Sequence, residues 1–156
     1  VAITGHSPAG GAVLALFCDW RVMAEGPYVI GLNEVRIGIP VPVIVADALT
    51  RVVGRRHAEA LCQTGRLLAP TEAMEIGLVD QIAPVDQVVS AAVEWCSKLT
   101  ELPPHALRGT RRTVRSDLIE VVHRSRSQDV EAMAREWFRP EVQGPLRKLA
   151  ERLASK

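Results

Sequence analysis

V-A-I-T-G-H-S-P-A-G-G-A-V-L-A-L-F, Val1 to Phe17, runs from an apolar strand pattern through a glycine-rich turn into an apolar helix. Val1–Thr4 reads as a short buried strand, Gly5–Pro8 as a turn and Ala9–Phe17 as a helix. The first turn of any helix leaves N–H donors without intrahelical partners, so a sharp strand-to-helix turn is a place for chemistry. This one has two readings. Gly5-His6-Ser7 has the pattern of a nucleophile elbow, with Ser7 as the attacking group. Pro8-Ala9-Gly10-Gly11 reads as an anion-binding helix start, with Gly10 as a backbone donor.

Pro8 weighs against the elbow. There, the residue after the nucleophile gives its N–H to the oxyanion, and proline has none to give. Losing one such donor costs about 10²–10³ in turnover. Ala9 also stands where the elbow closes with glycine. Asp86 and His105 follow in the right chain order for a triad, but nothing else marks them. Gly10 and Gly11 each cost about 1 kcal/mol against alanine in a helix. Two uses would justify them: close approach of a ligand to the backbone, or tight packing of helix on sheet. These residues alone leave both open.

The 156 residues suffice for one domain with a real core, and 47% hydrophobic with 24% charged residues is ordinary for a globular chain. A formal charge of +1 gives no strong field for nucleic acid or a membrane surface, and neither partner is expected. Cys18, Cys62 and Cys96 are far apart with no C-x-x-C; they read as buried thiols of a reducing compartment. No metal-ligand cluster, leader pattern or membrane-length apolar run is read, and Ala154-Ser155-Lys156 is not a peroxisomal S-K-L address. Val1-Ala2-Ile3, apolar and without methionine, reads as a chain entered in mid-fold.

Further along, Arg21–Ala24 and Tyr28–Gly31 read as short strands and Leu32–Pro42 as irregular. Val43–Val53 reads as a helix ended by Gly54, Arg56–Gln63 as a helix closed by Gly65, and Pro70-Thr71 as the opening of a short helix, Glu72–Ile76, that Gly77 closes. Leu78–Ile82 reads as a strand. Helices are expected over Val85–Thr100, Pro104–Arg115, Leu118–Trp137 and Glu141–Ala154. Arg108, Arg111, Arg112 and Arg115 share one helix face. A solvated face is the expected reading, against contacts with coenzyme A phosphates or an acidic neighbour. His6 is expected to pack or hydrogen-bond rather than transfer protons. Trp95, Trp137 and Phe138 are expected in a core or interface. The apolar stripes Leu118, Val121, Val122 and Leu146, Leu149, Leu153 need a surface to cover them.

Ile30 to Pro40, I-G-L-N-E-V-R-I-G-I-P, sets one carboxylate, Glu34, among Leu32, Val35, Ile37 and Ile39. Glu34 is either a solvated loop acid or a base whose pKa an apolar pocket raises. At this point four blocks carry a resemblance. Pro8-Ala9-Gly10-Gly11 with the C-D-x-R-V-M-A that follows, Ile30–Ile39, Gly54–Gly65 and Pro70–Pro84 together resemble the crotonase (enoyl-CoA hydratase/isomerase) superfamily. The first two are most similar to its Δ3,Δ2-enoyl-CoA isomerases.

The resemblance implies an α/β fold: a crotonase-like ββα spiral core, of which residues 1–100 are the C-terminal part, then an α-helical trimerisation tail over 101–156. It implies Gly10 as one of two N–H donors to a thioester oxygen and Glu34 as the acid/base. Pro8, Ala9, Gly11, Val13 and Leu32 are implied as substrate-binding. Val13 stands where hydratases of the superfamily carry a second glutamate, which favours isomerisation over hydration. The implied substrate is an acyl-CoA thioester of fatty-acid β-oxidation, so coenzyme A enters as substrate and no cofactor is expected. A homotrimer or hexamer is implied, in the cytoplasm of a bacterium or the mitochondrial matrix of a eukaryote. The second oxyanion donor belongs to a part of the family sequence that precedes this stretch. The alternatives are a hydratase or other crotonase-type thioester enzyme, and a non-catalytic assembly partner.

Overall fold

The computed structural model describes residues 1–124 and 128–154. Five short strands come first: β1 (Ala2–Ile3), β2 (Ser7–Pro8), β3 (Val22–Ala24), β4 (Ile30–Gly31) and β5 (Gln81–Ala83). They form two parallel sheets, β1-β3-β5 and β2-β4. The first four strands alternate between the sheets, so the chain winds as a spiral. Helix α1 (Gly10–Leu16) fills the first crossover, α2 (Val43–Thr64) and α3 (Pro70–Glu75) the last.

β3 is the centre of the larger sheet, and Val22, Met23 and Ala24 are fully buried. A central parallel strand is covered on both faces, which is why its sequence is continuously apolar rather than alternating. The main core lies between α1, α2 and the sheets, around Ile3, Leu16, Met23, Ile30, Leu49 and Leu78. Burying each such side chain is worth about 1.5–3 kcal/mol. Arg21 enters this interior at the start of β3. It is matched there by Asp80, 2.8 Å away, and by the Cys18 carbonyl, 3.0 Å away.

Three local expectations are corrected and one, at Gly54, is met. Ser7–Pro8 is a strand, paired Ser7↔Ile30 and Pro8↔Gly31, rather than a turn. The two helical runs expected before and after Gly54 are both present within the α2 span, and Gly54 (φ 76°, ψ 158°), itself non-helical, separates them. Leu78 and Val79 are buried but not extended, because both N–H groups turn back to the Ala73 carbonyl. The thiols of Cys18 and Cys62 are only partly buried and Cys96 is exposed.

The remainder is helical: α4 (Val88–Thr100), α5 (Pro104–Val114), α6 (Ser116–Arg124), α7 (Gln128–Trp137) and α8 (Pro140–Ala154). The single helix expected over Leu118–Trp137 is thus described as two, and residues 125–127 lie outside the described residues. So do the side chains of Leu149 and Leu153. Leu118 and Val142 are buried, so this helical part packs on the core. The Val142 side chain and the Glu141 carbonyl reach Gly38, at the end of the 3₁₀ turn Glu34–Ile37.

Candidate active site

The site is a cavity of about 680 Å³ between the start of α1, the 3₁₀ turn and the helices α6 and α7. Ala9, Gly10 and Val13 bring the first wall; Glu34, Ile37 and Ile39 bring the second. Val122, Val130, Met133 and Trp137 close the far side.

The register between the small strands aims the backbone. Ala9 donates its N–H to the Gly31 carbonyl at 2.9 Å, and its own carbonyl accepts from Val13 N–H at 2.9 Å. Pinned at both ends, Ala9 takes φ 47°, ψ −116°, a rare conformation for a residue with a side chain. Gly31 (φ 149°) is held to glycine by a different neighbour, since a Cβ there would lie 2.9 Å from the Arg66 carbonyl. The next N–H, that of Gly10, has no acceptor among the described residues.

The two glycines have different uses. A Cβ at Gly10 would meet nothing within 4 Å, while one at Gly11 would lie 2.6 Å from Ser7 Oγ. Gly11 is therefore the packing glycine, and Gly10 opens onto the cavity. Ser7 is correspondingly buried, and among the described residues no histidine or carboxylate hydrogen-bonds to it. That removes the elbow reading. His6 instead accepts a hydrogen bond at Nδ1 from Val29 N–H and packs edge-on to Tyr28, the role expected of it.

Glu34 opens the 3₁₀ turn that follows β4 and is 9% exposed. Its Oε2 is buried without a hydrogen-bond partner among the described residues. Burial pushes its carboxyl above the ordinary value of 4.5, and its own backbone N–H offsets part of that rise. Burial, and after it the Glu34 charge, also raises the Cys62 thiol on α2. Among the described residues, Glu34 is the one titratable group in the cavity wall. A lone carboxylate in an apolar hollow, beside an open N–H at a helix start, can take up a proton and return it while a negative charge forms elsewhere.

Of the residues singled out in the sequence, Ala9, Gly10, Val13 and Glu34 meet at this cavity. Pro8, Gly11 and Leu32 do not line it. Pro8 is exposed at the end of β2, Gly11 faces Ser7, and Leu32, 2% exposed, is core. The walls from α6 and α7 were not singled out as site residues; their only sequence signal is an apolar stripe on helices of the tail. The basic face on α5 divides. Arg111 and Arg115 bind Asp19, and Arg115 also donates to the Phe17 and Cys18 carbonyls beyond α1.

The family profile of enoyl-CoA hydratase/isomerase matches residues 1–155. The mitochondrial enoyl-CoA delta isomerase 1 of Mus musculus is 38% identical over 156 residues, covering 99% of this chain and 54% of the relative. The Homo sapiens protein of that name is 37% identical over 153 residues, with 97% and 51% covered. A probable enoyl-CoA hydratase of Mycobacterium tuberculosis is 34% identical over 120 residues, 77% of this chain and 45% of the relative. The crystal structure of human mitochondrial delta3-delta2-enoyl-CoA isomerase superposes with a TM-score of 0.91 at 37% identity, covering 99% of this chain and 60% of that one. An enoyl-CoA hydratase/isomerase structure from Pseudoalteromonas atlantica, 21% identical, shares the fold with a TM-score of 0.85 over 97% and 61%. The chain spans about half the length of the two isomerases whose sequences it matches.

Proposed function

The chain belongs to the enoyl-CoA hydratase/isomerase family and has its fold, and from that premise we propose that it carries the acid/base half of a Δ3,Δ2-enoyl-CoA isomerase site. One observation carries this reading: among the described residues, Glu34 is the one titratable group lining an apolar cavity that Gly10 opens onto. Hydration needs groups to hold and activate a water, and Val13 stands where a second carboxylate would do so. Moving a double bond needs one proton taken and one returned.

Ionised Glu34 removes the C2 proton of a 3-enoyl thioester. The electron pair delocalises onto the thioester oxygen, where Gly10 N–H and a second donor from outside these residues hold it. Protonated Glu34 then delivers its proton to C4, leaving the double bond between C2 and C3. The raised carboxyl serves both halves, since a stronger acid would be slow to take the proton and a stronger base slow to return it. Coenzyme A is the carrier of the substrate. The working assembly is a homotrimer or hexamer with residues 101–156 at its contacts, in a bacterial cytoplasm or a mitochondrial matrix.

Glu34→Gln tests the reading. It keeps the shape and removes the proton acceptor, so isomerisation should fall by about 10²–10⁴-fold while the fold is retained. The measurement is formation of the 2-enoyl thioester alongside a thermal melt; an active, folded variant would overturn the assignment. The same relatives include a probable hydratase, and 3-hydroxyacyl product made faster than 2-enoyl product would favour that chemistry instead.

A further inference from the structure

A second hollow lies beside the first. It is a groove of about 420 Å³ beside α5 and α6, and it shares Val122 with the Glu34 cavity. Both hollows follow α1. The cavity meets it at Gly10 and Val13, and the groove at Phe17, one turn further on. From Gly10 to Phe17 is about 10 Å at 1.5 Å per residue.

The groove has a divided character. Its floor is Phe17, Leu118, Ile119 and Val122, and its rim is Arg108, Arg111, Arg112 and Arg115. Among the described residues no acidic side chain lines it. Asp19 holds Arg111 and Arg115, and the Arg115 side chain is only 17% exposed, so half of the rim is fixed in place. Arg108 and Arg112, one turn apart on α5, have no acidic partner among the described residues. A purely solvated basic face would need neither the apolar floor nor the fixed pair. An alkyl floor under unmatched guanidinium forks fits an alkyl chain that ends in an anion.

We propose that this groove receives the far end of the acyl chain and selects substrates whose chain ends in a carboxylate, that is, ω-carboxyacyl thioesters. The proposal rests on the isomerase reading of Glu34 and Gly10. With the thioester oxygen at Gly10, a chain of roughly eight further carbons, at C–C bonds of about 1.5 Å, spans the distance to Phe17 in the floor of the groove that Arg108 and Arg112 rim. Coenzyme A phosphates are the competing anion. Reaching the rim would draw the two amides of pantetheine along a wall whose side chains are almost wholly apolar, and unpartnered amides there are costly. A hydrocarbon chain has no such cost.

The test compares two 3-enoyl-CoA substrates of equal length, near ten carbons, one ending in methyl and one in carboxylate. The quantity read is the ratio of their kcat/KM values, in the parent protein and in Arg108→Gln/Arg112→Gln. The ratio, carboxylate over methyl, should fall at least tenfold in the double variant. Arg108→Lys/Arg112→Lys, which keeps the charge, should recover part of it. An unchanged ratio overturns the proposal, whether both substrates weaken together, as phosphate contacts would require, or neither does. If neither substrate turns over in the protein that also supplies the second oxyanion donor, the isomerase reading fails by itself. The dissociation constants of the two saturated thioesters, measured by calorimetry on the same proteins, then decide the groove by the same tenfold criterion.

Discussion

Glu34 ties the chemistry of the site to the stability of the fold through one proton. Its folded pKa is raised by burial, so between its ordinary value of 4.5 and the raised value the folded protein binds a proton that the unfolded chain has released. Stability therefore falls as pH rises through that window and levels off above it. Glu34→Gln cannot ionise, so it should gain on the parent across the same window, and the gap should then stay constant. Urea unfolding at a series of pH values measures this; a gap independent of pH would mean the carboxyl is as well solvated folded as unfolded. The acid limb of kcat/KM should likewise lie above the ordinary carboxyl value of 4.5. Ala9 makes a separate claim on the same site. Its φ of 47° carries strain of about 1–3 kcal/mol, which glycine would relieve at an unfolded-state cost of about 0.4–1 kcal/mol. Ala9→Gly should be neutral or stabilising by up to about 2 kcal/mol in denaturant unfolding. A clear loss of stability would show that the conformation is comfortable as it stands.

Among the elements, β3 depends on a charge pair more than its apolar run suggests. Asp80, in the link between α3 and β5, accepts from both the backbone N–H and the side chain of Arg21, each at 2.8 Å. Asp80→Ala would leave Arg21, 7% exposed, as an unmatched charge and should cost about 3–5 kcal/mol in equilibrium unfolding. Arg21→Met/Asp80→Leu removes both charges and should recover most of that loss; a double variant as weak as the single would place the effect in packing alone. β3 itself was legible in the sequence because V-M-A is an apolar run with loop signals after it. The helix starts at Val43, Pro70 and Pro104 were legible from proline and apolar period. Ser7–Pro8 was not, because a two-residue strand has no alternation to show and is defined by its partner Ile30–Gly31. Leu78-Val79 misled for the opposite reason: burial makes the residues apolar, while their N–H groups serve Ala73. Glu34 and Gly10 stood out because the site is built from two local motifs. The support of the Glu34 turn by Val142, more than a hundred positions away, has no local signature.

At the scale of the whole molecule, the chain leaves more apolar surface uncovered than a solitary globule of this size tolerates well. Leu14 is 72% and Phe138 75% exposed, and Val89 and Val93 stand one turn apart on the outer face of α4, each more than half exposed. The larger sheet also ends at β1, whose outer edge has no strand partner among the described residues. Large apolar patches and open edges both drive association. The 156-residue chain should therefore associate at micromolar concentration, and light scattering behind size exclusion measures the mass directly. A discrete species near three times 17.0 kDa would support a closed trimer, since a symmetric contact stops growing once every patch is used. Val89→Lys/Val93→Lys and Phe138→Ser then locate the contact, as the variant on the true interface lowers the mass while the other leaves it alone. Open-ended growth that Lys substitution at Ala2 and Thr4 suppresses would instead implicate the β1 edge, because an unpaired strand adds copies without closing. A lone 17.0 kDa particle at every concentration would overturn the expectation and mean that these side chains are hydrated one by one rather than as a patch.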